Sequence, residues 1–132
     1  MMAPPFADPD GKTAYVVNHL AGTVTPIDLA TGSAGTPIQV ENALAIAITP
    51  DGKTAYVTGD DGVTPIDLAT GSAGTPIQVG GNLVAIAITP DGTTAYVGNW
   101  TSDTVTPIDL ATGGVGTPIQ VGQAPNEIVV TP

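Results

Sequence analysis

Cysteine and arginine are both absent from this chain, and lysine occurs only as Lys12 and Lys53. Without cysteine, neither a disulfide nor thiolate chemistry is available. Twelve acidic residues outnumber the two lysines, and the resulting net charge of −10 repels a phosphate backbone and an anionic lipid surface. We therefore expect neither nucleic acid nor a membrane as a partner.

Long apolar runs are missing as well. No stretch approaches the roughly 18 residues that a membrane-spanning helix needs. Residues 1–5 lack the basic start and the apolar core of an export signal, so no signal peptide is expected. Aromatic residues make up only 4% of the chain, whereas 17 glycines and 13 prolines are many. Because these glycines and prolines recur at fixed places, they indicate turns and not disorder.

One motif occurs three times, as Asp-Gly followed by Lys or Thr and then Thr-Ala-Tyr-Val. Each copy continues into Thr-Pro-Ile-Asp-Leu-Ala-Thr-Gly and Gly-Thr-Pro-Ile-Gln-Val. The motif tyrosines are spaced by 41 and 40 residues: Tyr15, Tyr56 and Tyr96. A period in this range is typical of stacked or radial repeat folds. We predict one domain, 1–132, with repeats at approximately 8–49, 50–89 and 90–132.

Each repeat predicts four short β-strands. In the last repeat, with the run that precedes it, the predicted strands are 83–88, 94–97, 105–110 and 116–121, and 98–103 is a polar loop. Four antiparallel strands about every 40 residues, without a helical pattern, form the blade of a β-propeller. The predicted fold class is therefore all-β, with three propeller blades in the chain.

The prolines fall at two positions of each repeat. Those of the fourth strand lie at the outer edge of a blade, where a missing donor costs no ladder bond: Pro37, Pro76 and Pro118. Those of the third strand have neighbours on both sides: Pro26, Pro65 and Pro107. At these three we expect a bulge or a wide, non-bonded position.

The segments Tyr15-Val-Val-Asn18, Tyr56-Val-Thr-Gly59 and Tyr96-Val-Gly-Asn99, each after an Asp-Gly turn, resemble the YVTN-type β-propeller repeat of bacterial and archaeal surface proteins. No copy contains the four-residue motif in full, since Val17, Gly59 and Gly98 depart from it. The resemblance implies a surface-associated or extracellular scaffold, commonly seven-bladed and often without an assigned activity. The ligand stays open.

Three blades do not complete a ring, because closed propellers typically have about four to eight. Two uncovered blade faces would favour association. Residues 127–131 form a strand pattern with no blade after it, and 4–8 make a poor first strand. We therefore expect the C-terminal strand of one copy to complete the first blade of another. Thin, aromatic-poor layers imply small angles between blades, so a nine-bladed homotrimer is favoured, with a six-bladed homodimer as the alternative.

The loops after the second and fourth strands share one rim of a propeller, and they are where the three copies differ. Variable loops on a repeated scaffold are a natural place for binding residues. The candidates on this rim are His19, Glu41, Asp60, Asp61, Trp100 and Asp103.

Each candidate also has a plainer interpretation. His19 is the single histidine and can be simply solvated. Asp60 and Asp61 could join Glu41 or Asp103 around a hard cation, but no Asp-x-Asp-x-Asp loop is present, and we expect no metal. Trp100 is either a stacking platform for a flat ligand or a cover over the loop base.

Two further patterns concern acids and a sequon. Asn99-Trp100-Thr101 matches a glycosylation sequon. The acids that recur in every copy are expected to bind the backbone amides that follow them in turns: Asp10, Asp51, Asp91, Asp28, Asp67 and Asp109.

With one histidine and no catalytic constellation, the sequence predicts a non-enzymatic, self-assembling scaffold or binding module without a cofactor. A propeller enzyme, such as a metal-dependent lactonase or hydrolase, is the first alternative. A recombined or engineered fragment without a cellular role is the second.

Overall fold

A computed structural model describes residues 11–59 and 62–132 of the chain. Over these ranges the backbone forms strands and turns and no helix. Accordingly, the described residues include no helix with the length and apolarity needed to span a membrane. The strands are grouped in three antiparallel sheets, each built from a consecutive part of the chain. The prediction of an all-β fold is confirmed.

The three sheets follow one another in chain order. Sheet 1 contains β1 (Thr13–Asn18), β2 (Thr23–Asp28), β3 (Ser33–Ala34) and β4 (Ile38–Gln39). Sheet 2 contains β5 (Ile46–Ile48), β6 (Thr54–Gly59), β7 (Gly62–Asp67) and β8 (Ser72–Ala73). Sheet 3 contains β9 (Leu83–Ile88), β10 (Thr94–Asn99), β11 (Thr104–Asp109), β12 (Gly114–Val115) and β13 (Ile119–Gln120).

The outer strand of sheet 3 is interrupted, which corrects the prediction of one continuous strand at 116–121. β12 and β13 pair with opposite ends of β11, where Ile108 faces Val115 and Thr104 faces Gln120. Between them, the N–H of Gly116 donates to the carbonyl of Pro107 at 2.8 Å. Pro107 has no N–H with which to return this bond. The outer strand therefore leaves the ladder at the proline.

Both alternatives expected at the third-strand prolines are found, on opposite sides of the strand. The outer strand has a bulge at Pro107, since it contains one residue more than β11 between the pairs Ile108–Val115 and Val105–Ile119. On the side of the second strand, the proline lies at a non-bonded position. β10 and β11 pair in continuous register past Pro107, which faces Tyr96. The proline nitrogen points to the same side as its carbonyl, toward the interrupted outer strand. Pro26 and Pro65 repeat this arrangement, since their carbonyls accept from the following Gly-Thr-Pro segments at 2.8 and 2.7 Å.

The second strand of the last repeat is longer than predicted. β10 continues through Gly98 and Asn99, which were expected in the polar loop. The pairing of β10 with β9 shifts register between these two residues. The first strand, by contrast, has the predicted limits, Leu83–Ile88.

Residues 122–132 contain no strand in the isolated chain. The Ile128 side chain lies over Gly98, with its Cδ1 3.7 Å from the point that a Cβ on this glycine would occupy. Pairing of 127–131 with a neighbouring copy stays a prediction. Residues 4–8, expected to make a poor first strand, lie outside the described residues.

The recurring aspartates stabilise turns as predicted. The Asp51 carboxylate accepts from the backbone N–H of Lys53 at 3.0 Å, and Asp91 accepts from that of Thr93 at 3.1 Å. At the other turn, the backbone N–H two residues on donates at 2.9 Å to each of Asp28, Asp67 and Asp109. Asp10 lies outside the described residues.

The apolar core lies in two layers between the sheets. The first layer contains buried residues of sheet 1 and its outgoing connection with residues of sheet 2: Val24, Ile38, Val40, Ala43, Ala55, Val57, Ile66 and Leu68. The second joins sheets 2 and 3 through Tyr56, Val63, Leu83, Ile86, Ala95, Val97 and Ile108, with partly buried Ile77, Val79 and Leu110 beside them. Each sheet thus has a leading face, at the positions of Ala55, Val57, Ile66 and Leu68, and a trailing face, at those of Tyr56, Val63, Ile77 and Val79.

Candidate functional site

Two sets of loops meet along one edge of the sheets, which we call the rim. The rim consists of the turns that join β1 to β2, β6 to β7 and β10 to β11, together with the connections that leave the outer strand of each sheet. The N–H of Val40 donates to the Gly22 carbonyl at 2.9 Å, and the N–H of Trp100 donates to the Asn82 carbonyl at 3.0 Å. These backbone bonds join the two loop sets, so the prediction that they share a rim is confirmed.

His19 is tied to the connection between sheets 1 and 2. Its Nδ1 lies 3.1 Å from the carbonyl oxygen of Ala43. Because a carbonyl only accepts, Nδ1 carries the proton in this contact, and the neutral ring has Nε2 as its acceptor or ligand atom. The ring helps to line a cavity of about 150 Å³ together with Asn42, Leu44, Gly59, Asn82 and Leu83. The structure therefore places His19 beside amide and apolar side chains.

Of the acidic residues considered for a cation site on the rim, the structure describes Glu41 and Asp103. Asp60 and Asp61 lie outside the described residues. Glu41 is exposed, and its carbonyl oxygen lies 2.8 Å from the point that a Cβ on Gly59 would occupy. In the described ranges, no three His, Cys, Asp or Glu side chains are grouped so that they could hold a metal ion.

Asp103 has a structural role on the rim. Its φ of 58° lies in the left-handed region, and its carboxylate accepts from the Ala124 N–H at 2.9 Å. Its carbonyl accepts from Val121 at 2.9 Å, as that of Gly22 does from Val40. Asp103 therefore stands where the first copy has a glycine, and its side chain fixes the last connection.

Trp100 and the sequon beside it behave differently. The Trp100 side chain is half-exposed, so its ring is available on the rim. Asn99 is buried; its Nδ2 donates to the Val79 carbonyl at 3.4 Å, and its Oδ1 accepts from Thr106 Oγ1 at 3.1 Å. The sequon match at 99–101 is therefore not a modification site in this fold, because the amide is engaged.

Sequence reasoning missed the role of the asparagine that ends the Tyr-Val segment. Asn18 Nδ2 donates to Thr25 Oγ1 at 2.9 Å, and Asn99 bonds with Thr106 at the same position of sheet 3. The asparagine thus ties the second strand to the third. Its recurrence seven residues before a threonine was the available signal.

A second cavity, of about 740 Å³, lies at the opposite edge beside sheet 2. Its lining residues are Asp51, Gly52, Lys53, Thr54, Pro65, Asp67, Ala69, Ser72, Ala73 and Gly74. The hydroxyl of Thr49 donates to the Asp51 carboxylate at 2.6 Å, and this bond holds the pKa of Asp51 below its usual value. The corresponding bond from Thr89 lowers the pKa of Asp91. This cavity contains none of the predicted binding residues.

No family model matches the chain, and no curated protein matches it in sequence. Among solved structures, hydrazine synthase of Kuenenia stuttgartiensis matches with a TM-score of 0.84 and 29% identity, over 95% of this chain and 38% of that chain. The dihydro-heme d1 dehydrogenase NirN, in complex with DHE, matches with a TM-score of 0.72 and 26% identity, over 89% of this chain and 27% of that chain.

The chain thus spans well under half the length of either neighbour. Matches extend to 554 chains of solved structures, so the shared architecture by itself does not single out an activity. The resemblance to the YVTN-type repeat stays a prediction. Both neighbours are β-propeller proteins, and the three sheets described above have the β-propeller fold.

Proposed function

We propose that the chain is a non-enzymatic propeller scaffold that assembles with copies of itself and carries a binding rim. Its sheets are blades, and blades of further copies complete the ring. The uncovered end faces support the assembly. The variable rim supports the binding role, because Trp100 is half-exposed there and His19 lines a small cavity.

The leading face of sheet 1 carries the proposal. Val16 is 40% exposed, whereas Val57 and Val97, at the same position of the next two sheets, are 0% exposed. Leu29 is 54% exposed and its counterpart Leu68 only 2%. The residue types are identical, so the difference arises from the surroundings. Sheets 2 and 3 are each covered by a preceding sheet, and β6 and β10 also have a neighbouring first strand, β5 or β9, that β1 lacks within the described part of the chain.

The trailing face of sheet 3 shows the same contrast at the other end. Ile119 is 48% exposed, whereas Ile38 in sheet 1 is 7% exposed. Val121 is likewise exposed where Val40 is buried. Covering each of these half-exposed side chains stabilises a complex by about 1 kcal/mol. Together the two end faces favour association of the copies.

We favour a nine-bladed homotrimer, with a six-bladed homodimer as the alternative. Only 4% of the residues are aromatic, so we expect the layers between sheets to be thin at the periphery and the angles between the sheets to be small. Small angles require more blades. In this arrangement, residues 127–131 of one copy add a strand to the first blade of the next.

The native mass of the 132-residue chain tests the assembly, by light scattering or sedimentation. We expect a discrete oligomer of three copies, and a mass of two copies would support the six-bladed alternative. A monodisperse monomer contradicts the proposal.

A propeller enzyme is the second candidate, because both structural neighbours, hydrazine synthase and the dihydro-heme d1 dehydrogenase NirN, are enzymes by name. For this chain such an activity would take the form of metal-dependent hydrolysis at the rim. Elemental analysis of the purified protein separates the two candidates. A stoichiometric transition metal or calcium favours the enzyme, whereas the scaffold predicts none.

A further inference from the structure

We propose that the copies join front to back: the leading face of sheet 1 in one copy covers the trailing face of sheet 3 in another. This inference rests on the proposed self-assembly and names its partner surface. A front-to-front or back-to-back contact is a different interface, and the experiment below separates the three.

The two junctions inside the chain show what each face fits. At both junctions, a trailing face packs against the leading face of the following sheet. The leading face has the same four residue types in all three sheets: Ala14, Val16, Ile27 and Leu29; Ala55, Val57, Ile66 and Leu68; and Ala95, Val97, Ile108 and Leu110. The free leading face therefore matches a surface that is already buried twice.

The trailing face is repeated almost as closely. Its valine, isoleucine and valine are Val24, Ile38 and Val40 in sheet 1, Val63, Ile77 and Val79 in sheet 2, and Val105, Ile119 and Val121 in sheet 3. The trailing face differs at one position, two residues after the motif tyrosine. This residue is Val17 in sheet 1, Thr58 in sheet 2 and Gly98 in sheet 3. In sheet 3 the space above this glycine is occupied by Ile128.

The faces are complementary to each other and not to themselves. In the second core layer, Tyr56 of the trailing face belongs to the same cluster as the small Ala95 of the leading face. A back-to-back contact would bring together two faces that each carry the large Tyr96, and a front-to-front contact two faces that each carry the small Ala14. Close packing requires that large residues meet small ones, so only the front-to-back contact reproduces an existing junction.

This polarity has a consequence for growth. A front-to-back contact leaves one free leading face and one free trailing face at the ends of every open assembly. Copies therefore add until the first and last faces meet.

Two single variants test the polarity, since each blocks one face with a charge. Leu29→Lys blocks the leading face, and Ile119→Lys blocks the trailing face; both positions are about half-exposed, so the fold should tolerate the change. Leu20→Lys, on a rim residue that is almost fully exposed, is the matched control. Circular dichroism verifies folding, and Leu29→Ser with Ile119→Ser replaces any lysine variant that unfolds.

At a concentration where the unchanged chain is fully assembled, we expect each blocked variant alone to be a monomer. Their equimolar mixture should form a dimer and nothing larger, because one leading and one trailing face remain. The control should assemble like the unchanged chain.

Self-association of Leu29→Lys alone would reveal a back-to-back contact, and self-association of Ile119→Lys alone a front-to-front contact. Either result overturns the inference, as does a mixture that stays monomeric while the unchanged chain assembles. If the unchanged chain is itself a monomer, the proposed self-assembly has failed.

Discussion

At the scale of single residues, the connections between sheets share one unusual backbone conformation. Asn42, Asn82 and Ala124 occupy the same position before the next first strand, with φ values of 53°, 53° and 52°. Asparagine adopts this left-handed region readily, whereas alanine is strained there by roughly 1–2 kcal/mol. The last connection therefore contains strain that the first two avoid.

Replacing this alanine should stabilise the protein. We expect Ala124→Asn to raise the free energy of unfolding by roughly 1 kcal/mol, because asparagine relieves the left-handed strain. The backbone bond from residue 124 to Asp103 is retained, since any residue except proline supplies the N–H. Chemical denaturation measures the change, with Asn82→Ala as a reference of opposite sign. Equal midpoints for Ala124→Asn and the unchanged chain would contradict the strain.

The Thr49–Asp51 pair predicts a measurable acid response. Thr49→Val removes the hydroxyl that lowers the Asp51 pKa, so this pKa should rise toward its usual value. A carboxyl group whose pKa is lower in the folded protein than in the unfolded chain stabilises the fold at pH values above the unfolded pKa. This stabilisation is lost as the pH falls through the folded-state pKa. The variant should therefore lose less stability on acidification below pH ~4. Carbon-13 NMR titration of Asp51 measures the shift, with Asp91 as the internal control because Thr89 is unchanged.

At the scale of strands, a glycine and a proline are matched across the ladder in every sheet. A Cβ on Gly116 would lie 2.9 Å from Cγ of Pro107, and the equivalent distances for Gly35 and Gly74 are 3.0 and 3.2 Å. Each outer strand thus passes directly over a proline ring. Only glycine allows this approach without displacement.

Gly116→Ala should accordingly destabilise the fold by about 1–3 kcal/mol, because the added methyl group must displace the proline ring or the strand. Gly122→Ala is the matched control, since nothing lies within 4 Å of its added carbon. Thermal unfolding of the two variants measures the difference. Similar losses in both would mean that the close approach is unimportant.

The strands illustrate what local sequence can and cannot predict. The apolar run at Leu83–Ile88 and the Asp-Gly turns depend on neighbouring residues, and they were predicted correctly. The interruption of the outer strand depends on the pairing of Gly116 with Pro107, which stand nine positions apart and meet only across two strands. Both residues fall within a short stretch of sequence, but their identities do not show that the two meet across the ladder, and a continuous strand was predicted instead.

The rim shows the same limit. Its position follows from the order of strands and loops, and the backbone bond from Trp100 to Asn82 confirmed it. The engagement of the Asp103 carboxylate with Ala124, and of Asn99 with Thr106, depends on which loops lie opposite in space. These side chains looked available in sequence and are used by the fold.

At the scale of the whole molecule, charge opposes the proposed assembly. Every copy has a net charge of −10, with only two lysines to form ion pairs. Added sodium chloride screens this repulsion. We therefore expect the oligomeric fraction, measured by sedimentation at a fixed subunit concentration, to increase with salt. A decrease with salt would point to ion pairs at the contact in place of apolar surface.

Because the leading and trailing faces are repeated in every sheet, a gene for such a chain can gain or lose whole repeats without changing the surfaces that pack together. Unequal recombination that inserts or deletes one repeat would leave every remaining junction chemically unaltered and would expose the same pair of terminal surfaces. Subunit length can therefore drift during evolution without new recognition having to be selected each time.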